Sequence, residues 1–248
     1  MTRPLTTHVG SLPRSQRVVG FLFARERGEP YDEAAFRACM TEEVSETVRR
    51  QLAAGIDIVS DGETSKISYA TYVKNRYSGF SGDTKRNTPA DIKLYPSFLE
   101  RLKQSGDAPD YACPRCTGPV APLSDTDLQA DIANLKAAMA THGARRGFMN
   151  AASPGVISLF LPNDHYPSRE AYLEALADAL KPEYEAILAA GLDLQLDCPD
   201  LALSRHMLFN ELSEDAFVKI ADLHVEVLAH ALRDADLSRV RLHICWGN

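Results

Sequence analysis

The 248-residue chain has no apolar run near the roughly 18 residues that cross a bilayer. Its first residues, Met1-Thr2-Arg3-Pro4-Leu5, lack the apolar segment of an export signal. A membrane span is therefore not expected, and a cytoplasmic location follows by default. Cations are in deficit: 27 Lys and Arg stand against 34 Asp and Glu, a formal charge of −7. A nucleic-acid surface needs clustered Lys and Arg, so no nucleic-acid partner is expected. Cysteine is sparse and odd in number, at Cys39, Cys113, Cys116, Cys198 and Cys245. Without an export signal this implies reduced thiols, not a disulfide framework. Short repeats and low-complexity segments are also missing. So is a glycine-rich phosphate fingerprint after the first strand, which sets aside a dinucleotide-binding fold. Cys113-Pro114-Arg115-Cys116 has C-x-x-C spacing but no second pair, so a zinc ribbon is not built on it.

What is present is an ordinary globular composition, 45% apolar and 25% charged, long enough to bury a core. Strand-like and helix-like patterns alternate, which implies α/β architecture with a parallel sheet. Leu5–Val9 reads as a first strand ended by Gly10-Ser11 and Pro13. Helical spacing of Phe36, Cys39, Met40, Val44, Val48 and Leu52 predicts a helix over Asp32–Ala54, stopped by Gly55. Ile56–Ser60 is the second strand. Residues 64–110 read as an irregular insertion, and Tyr111–Val120 as a weak third strand. Ser124 or Asp125 caps a helix running to His142. Gly147–Ala151 is strand four. Ser168 caps a helix to Ala190, with Pro182 inside it as a point of bending. Leu192–Asp197 is strand five, Ser213 caps a helix over Glu214–Arg233, and Val240–Cys245 is strand six.

Polar residues collect at the carboxyl ends of these strands: His8, Ser11, Asp61, Glu63, Asn150, Asp197, His243 and Cys245. A (βα)8 TIM barrel gathers such residues in one mouth. The expectation is one barrel domain over residues 1–248, with about six βα units and the last two absent. Exposed edges on strands one and six would then invite pairing, as in a homo-oligomer.

His243 and Cys245 are two apart, so a strand places both on one face. Imidazole and thiolate are preferred zinc ligands, but zinc takes three or four protein ligands in most sites. The cations and aromatics Lys66, Tyr69, Tyr72, Lys74, Arg76 and Tyr77 read as a loop over the mouth or an oligomer contact.

Thr6-Thr7-His8-Val9-Gly10-Ser11-Leu12-Pro13-Arg14 resembles the opening strand of the catalytic barrel of cobalamin-independent methionine synthases. Val59–Glu63, Leu194–Pro199 and Leu242–Cys245 resemble that family's strand-two Gly-Glu, its Gln-Ile-Asp-Glu-Pro segment and its His-x-Cys zinc strand. The matches are collinear and span nearly the whole chain. They are similar above all to the short single-barrel members, which include epoxyalkane:coenzyme M transferase. The resemblance implies zinc-dependent transfer of a methyl or other alkyl group to a small thiol such as homocysteine, with no cobalamin and with a methylfolate as one possible donor. It implies that His243 and Cys245 bind zinc, that Gly10 and Ser11 contact the carboxylate of an amino-acid thiol, and that Glu63 and Asp197 hold its amino group, with His8 near the mouth. The family's other zinc ligands, a Glu and a second Cys on strands seven and eight, have no counterpart here. Cys198 stands where the synthases have Glu.

Two other readings compete. A barrel resembling uroporphyrinogen decarboxylase would need a basic cleft, for which Arg14 and Arg17 are the candidates. A non-catalytic barrel kept as a binding or scaffold protein would need no complete metal site.

Overall fold

The computed structural model describes residues 3–84, 90–105 and 113–246. Its main sheet is parallel, with spatial order β1 (Ile58–Ser60), β4 (Arg146–Ala152), β5 (Asp193–Asp197) and β6 (Val240–His243). The two short strands between them in sequence, β2 (Phe80–Ser81) and β3 (Arg115–Cys116), pair antiparallel as a separate hairpin. The expected third strand therefore lies outside the main sheet. The expected first strand is reduced to one parallel bridge, Thr7 to Ile58. Residues 5–9 hold their place through side chains: Asp57 accepts from Arg3 and from the Thr6 amide and hydroxyl.

Nine helices appear among the described residues: α1 (Gln16–Glu26), α2 (Glu33–Ala53), α3 (Ala90–Lys93), α4 (Pro96–Ser105), α5 (Thr126–His142), α6 (Pro154–Phe160), α7 (Arg169–Ala189), α8 (Ser204–Met207) and α9 (Glu214–Ala231). Helix α2 starts where Asp32 accepts from the Ala35 amide, and α7 and α9 where Ser168 and Ser213 accept from Ala171 and Ala216. Each cap satisfies an amide that the helix leaves without a partner. Gly143, at φ 75°, ends α5 in the left-handed conformation. Helix α7 continues through Pro182. Helix α1 was not expected from the sequence, where Val18 to Phe23 is nearly continuous apolar residues and marks no single face; only Val18 and Leu22, one turn apart, are buried.

The core lies between the sheet and α5, α7 and α9, around Met149, Leu194, Leu196, Leu173, Leu176 and Leu180. Inward-facing positions of the sheet bind across strands. Arg241 lies over the Phe148 ring, 3.7 Å from its centroid. In register, Asn150 pairs with Gln195 and Gln195 with Arg241, while Asp197 pairs with His243. Lys66, Tyr72, Arg76 and Tyr77 are buried, contrary to the surface role expected of them. Arg76 pairs with Asp131 and Glu183, and both tyrosine hydroxyls donate to Glu183 at 2.9 and 2.8 Å. A guanidinium surrounded by two carboxylates can be buried because its charge is met on both sides.

Candidate functional site

A cleft of about 440 Å³ opens at the carboxyl ends of β1, β4, β5 and β6. Val9, Gly10, Ser11, Glu63, Tyr69, Asn150, Asp197, Pro199, Leu203, His243 and Cys245 line it. Six residues singled out in the sequence, Gly10, Ser11, Glu63, Asp197, His243 and Cys245, thus meet in one concavity. His8 is not among the lining residues. Cys245 lies two residues past the end of β6, not within the strand as expected. Arg14 and Arg17 do not line the cleft either: Arg14 donates to the carbonyls of Glu63 and Lys66, and Arg17 pairs with Glu42 on the surface.

The wall after β1 is a strained turn. Gly62 and Glu63 both take left-handed backbone conformations, at φ 65° and 54°. For a residue with a side chain this costs on the order of 1–3 kcal/mol and persists only where the surroundings enforce it. Here they do. Asp61 accepts from the Glu63 amide at 3.0 Å, Leu12 donates its amide to the Gly62 carbonyl at 3.1 Å, and Arg14 takes the Glu63 carbonyl at 2.8 Å. The result turns the Glu63 carboxylate into the cleft, where Ser11 Oγ donates to it at 2.8 Å. Glycine at position 10 makes room for this carboxylate: a Cβ there would stand 2.4 Å from Glu63 Oε1 and 3.1 Å from Asn150 Nδ2, so a side chain would have to displace it. Burial pushes the carboxyls of Asp61 and Glu63 up, and Asp197 adds to the effect at Glu63, while Lys66 opposes it in both. Lys66 is the buried cation beside them; its Nζ donates to the Asn150 carbonyl at 2.5 Å and lies 4.3 Å from the Tyr72 ring centroid.

The opposite wall is formed by β5 and β6. Asp197 Oδ1 is 2.9 Å from His243 Nδ1, and this contact raises the imidazole pKa. A carboxylate on Nδ1 fixes the ring and leaves Nε2 as the donor, the arrangement common behind metal-bound histidines. His243 and Cys245 therefore supply the donor types that zinc takes. Two ligands are fewer than a zinc site needs, and among the described residues no group of three or more His, Cys, Asp or Glu is placed to hold a metal. The pair fits half of a zinc site. Cys113 and Cys116 are buried near the small hairpin, and burial pushes the Cys116 thiol up.

Sequence reading missed the roles of Pro199, Leu203 and Gln195, while Tyr69, read as part of a loop over the mouth, does line the cleft. Tyr69 stands edge-on to Phe160 and gives the cleft an aromatic side. Pro199 and Leu203 follow strand five, where the Pro after Cys198 was the only available signal. Asn150 was visible as a polar strand end but carried no assigned role.

No helix among the described residues is long and apolar enough to cross a membrane. No family model and no curated protein matches the sequence. Solved structures do match. A B12-independent methionine synthase from Shewanella sp. W3-18-1, in complex with selenomethionine, superposes with a TM-score of 0.70 at 21% identity, over 98% of this chain and 61% of that one. A Listeria monocytogenes protein described as a vitamin-B12-independent methionine synthase superposes with a TM-score of 0.66 at 17% identity, over 99% of this chain and 67% of that one. Over nearly its whole length, the chain has the α/β fold found in these two structures.

Proposed function

We propose that the cleft binds a small amino-acid thiol such as homocysteine and promotes transfer of a methyl or other alkyl group to its sulfur. The observation that carries this reading is the meeting of Gly10-Ser11, Glu63, Asp197, His243 and Cys245 around one opening, from four separate segments. In this reading Glu63 and Asp197 orient the substrate ammonium through charge-assisted hydrogen bonds. The glycine at position 10 keeps the backbone clear for the substrate carboxylate. Tyr69, Pro199 and Leu203 offer apolar surface beside the reacting sulfur, where excluded water strengthens each polar contact. Holding the sulfur and the alkyl donor in line is the main contribution asked of the protein.

Zinc belongs to the proposal through His243 and Cys245, which supply two of the three or four protein ligands such a site takes. A zinc ion at that position would keep the substrate sulfur deprotonated at neutral pH. The fold and its two methionine synthase neighbours support a methyltransferase that works without cobalamin, and a methylfolate as donor is the corresponding partner. An incomplete barrel of about six βα units as one domain over residues 1–248, with residues 64–110 as an insertion, and a cytoplasmic setting complete the reading. The decarboxylase alternative is less well supported, because the cleft presents two carboxylates and neither candidate arginine.

The test is metal content together with methyl transfer to homocysteine. In the intact protein about one zinc per subunit is expected, and His243→Ala is expected to lose both metal and transfer. Metal-free protein with His243→Ala fully active would overturn the proposal.

A further inference from the structure

Residues 9–11 form one rim of the cleft, yet the sheet holds this segment by a single bridge at Thr7. Two side-chain amides do what a ladder would do. Gln195 Nε2 donates to the Val9 carbonyl at 2.5 Å and to Asp197 Oδ1 at 3.3 Å. Asn150 Nδ2 donates to the same carbonyl at 3.3 Å and to Asp197 Oδ1 and Oδ2 at 3.3 and 3.1 Å. Both side chains are almost fully buried, at 3% and 4% exposure, whereas Val9 is 58% exposed. Arg241 fixes the orientation of one amide: its Nε donates to Gln195 Oε1 at 2.9 Å, so the Gln195 NH2 must face Val9. Another Arg241 nitrogen reaches Thr7 Oγ1 at 3.3 Å, on the same rim segment.

We propose that Asn150 and Gln195, with Arg241 behind them, are positioning residues that clamp the Gly10-Ser11 rim to Asp197 and so set the width of the cleft. Neither amide needs to touch the substrate. Each bridges the two groups between which an amino-acid ligand would sit, one donor shared by a backbone carbonyl and a carboxylate. The register of β4, β5 and β6 makes this possible, because it lines up Asn150, Gln195 and Arg241 side by side. The binding arm of the test rests on the function proposed above; the exchange arm does not.

The variants are Asn150→Asp and Gln195→Glu, which keep shape but replace a donor by a charged acceptor facing Val9 and Asp197. Gln195→Met, which removes the donor without adding charge, serves where a carboxylate prevents folding. Amide hydrogen exchange is read on the peptide covering residues 9–12 and on peptides of β4 and β5. Exchange at 9–12 is expected to rise at least tenfold with β4 and β5 unchanged, and L-homocysteine affinity to fall at least tenfold. Unchanged exchange at 9–12 overturns the clamp. Faster exchange with unchanged homocysteine affinity overturns its positioning role. If the parent protein fails to bind homocysteine, the functional reading falls, and the exchange data still decide the clamp.

Discussion

Glu63 concentrates the unusual features of the site in one residue: left-handed backbone, buried carboxylate, a serine hydroxyl on one oxygen and a glycine against the other. Strain and desolvation of this kind oppose folding, which is why they are found where a function requires them. The pH dependence follows from the raised pKa. Below the ordinary glutamate range, about 4.3, the carboxyl is protonated in both folded and unfolded chains and its burial costs little. As pH rises through the higher folded value, the unfolded chain ionises first and stability is lost. Glu63→Gln has no such loss. Its stability relative to the parent should therefore be more favourable at pH 7.5 than at pH 4.5, measured by denaturant midpoints. An equal difference at the two values would mean that Glu63 ionises in the folded protein as it does in water.

At the scale of elements, helix starts were the most legible part of the sequence. Ser168, Ser213 and Asp32 cap where their positions predicted, because capping is a contact between residues three apart. Strand ends were less legible. Leu5–Val9 alternates like a strand but is held by Asp57, Asn150 and Gln195, partners distant in sequence. Tyr111–Val120 produced only the two-residue β3, paired outside the main sheet; residues 111 and 112 lie outside the described part. Helix α6 shows how one cap can do more than another. Ser153 Oγ accepts from the Val156 amide at 3.0 Å and donates to buried Asp200 at 2.8 Å, and Asp200 in turn meets His224 Nδ1 at 2.9 Å. Gly155 leaves room for this cluster, since a Cβ there would lie 2.0 Å from Asp200 Oδ2. A solitary cap such as Ser213 is worth about 1 kcal/mol. Ser153→Ala should cost about 2–4 kcal/mol, because it also strips a partner from a buried carboxylate. Unfolding midpoints of the two alanine variants check this, and equal losses would show that the Asp200 contact adds nothing.

For the whole molecule, the parallel sheet and its mouth followed from the alternation of elements and from polar residues at strand ends. Six of the singled-out site residues share one cleft because a parallel sheet brings every carboxyl end to the same edge. What the sequence did not show was the supporting layer beneath. Asn150, Gln195 and Arg241 become neighbours only through strand register, across separations of 45 and 46 residues that no local pattern encodes. The buried Arg76 network was hidden for the same reason: its carboxylates come from α5 and α7. The central claim is that carboxylates at the mouth read the ammonium of an amino-acid thiol. Calorimetric titration of the 248-residue protein with L-homocysteine and with 4-mercaptobutanoate, which lacks the amino group, addresses it directly. The account predicts at least tenfold tighter binding of homocysteine, about 1.4 kcal/mol, and loss of that preference in Glu63→Gln. Equal affinities for the two thiols, or a preference untouched by Glu63→Gln, would contradict it.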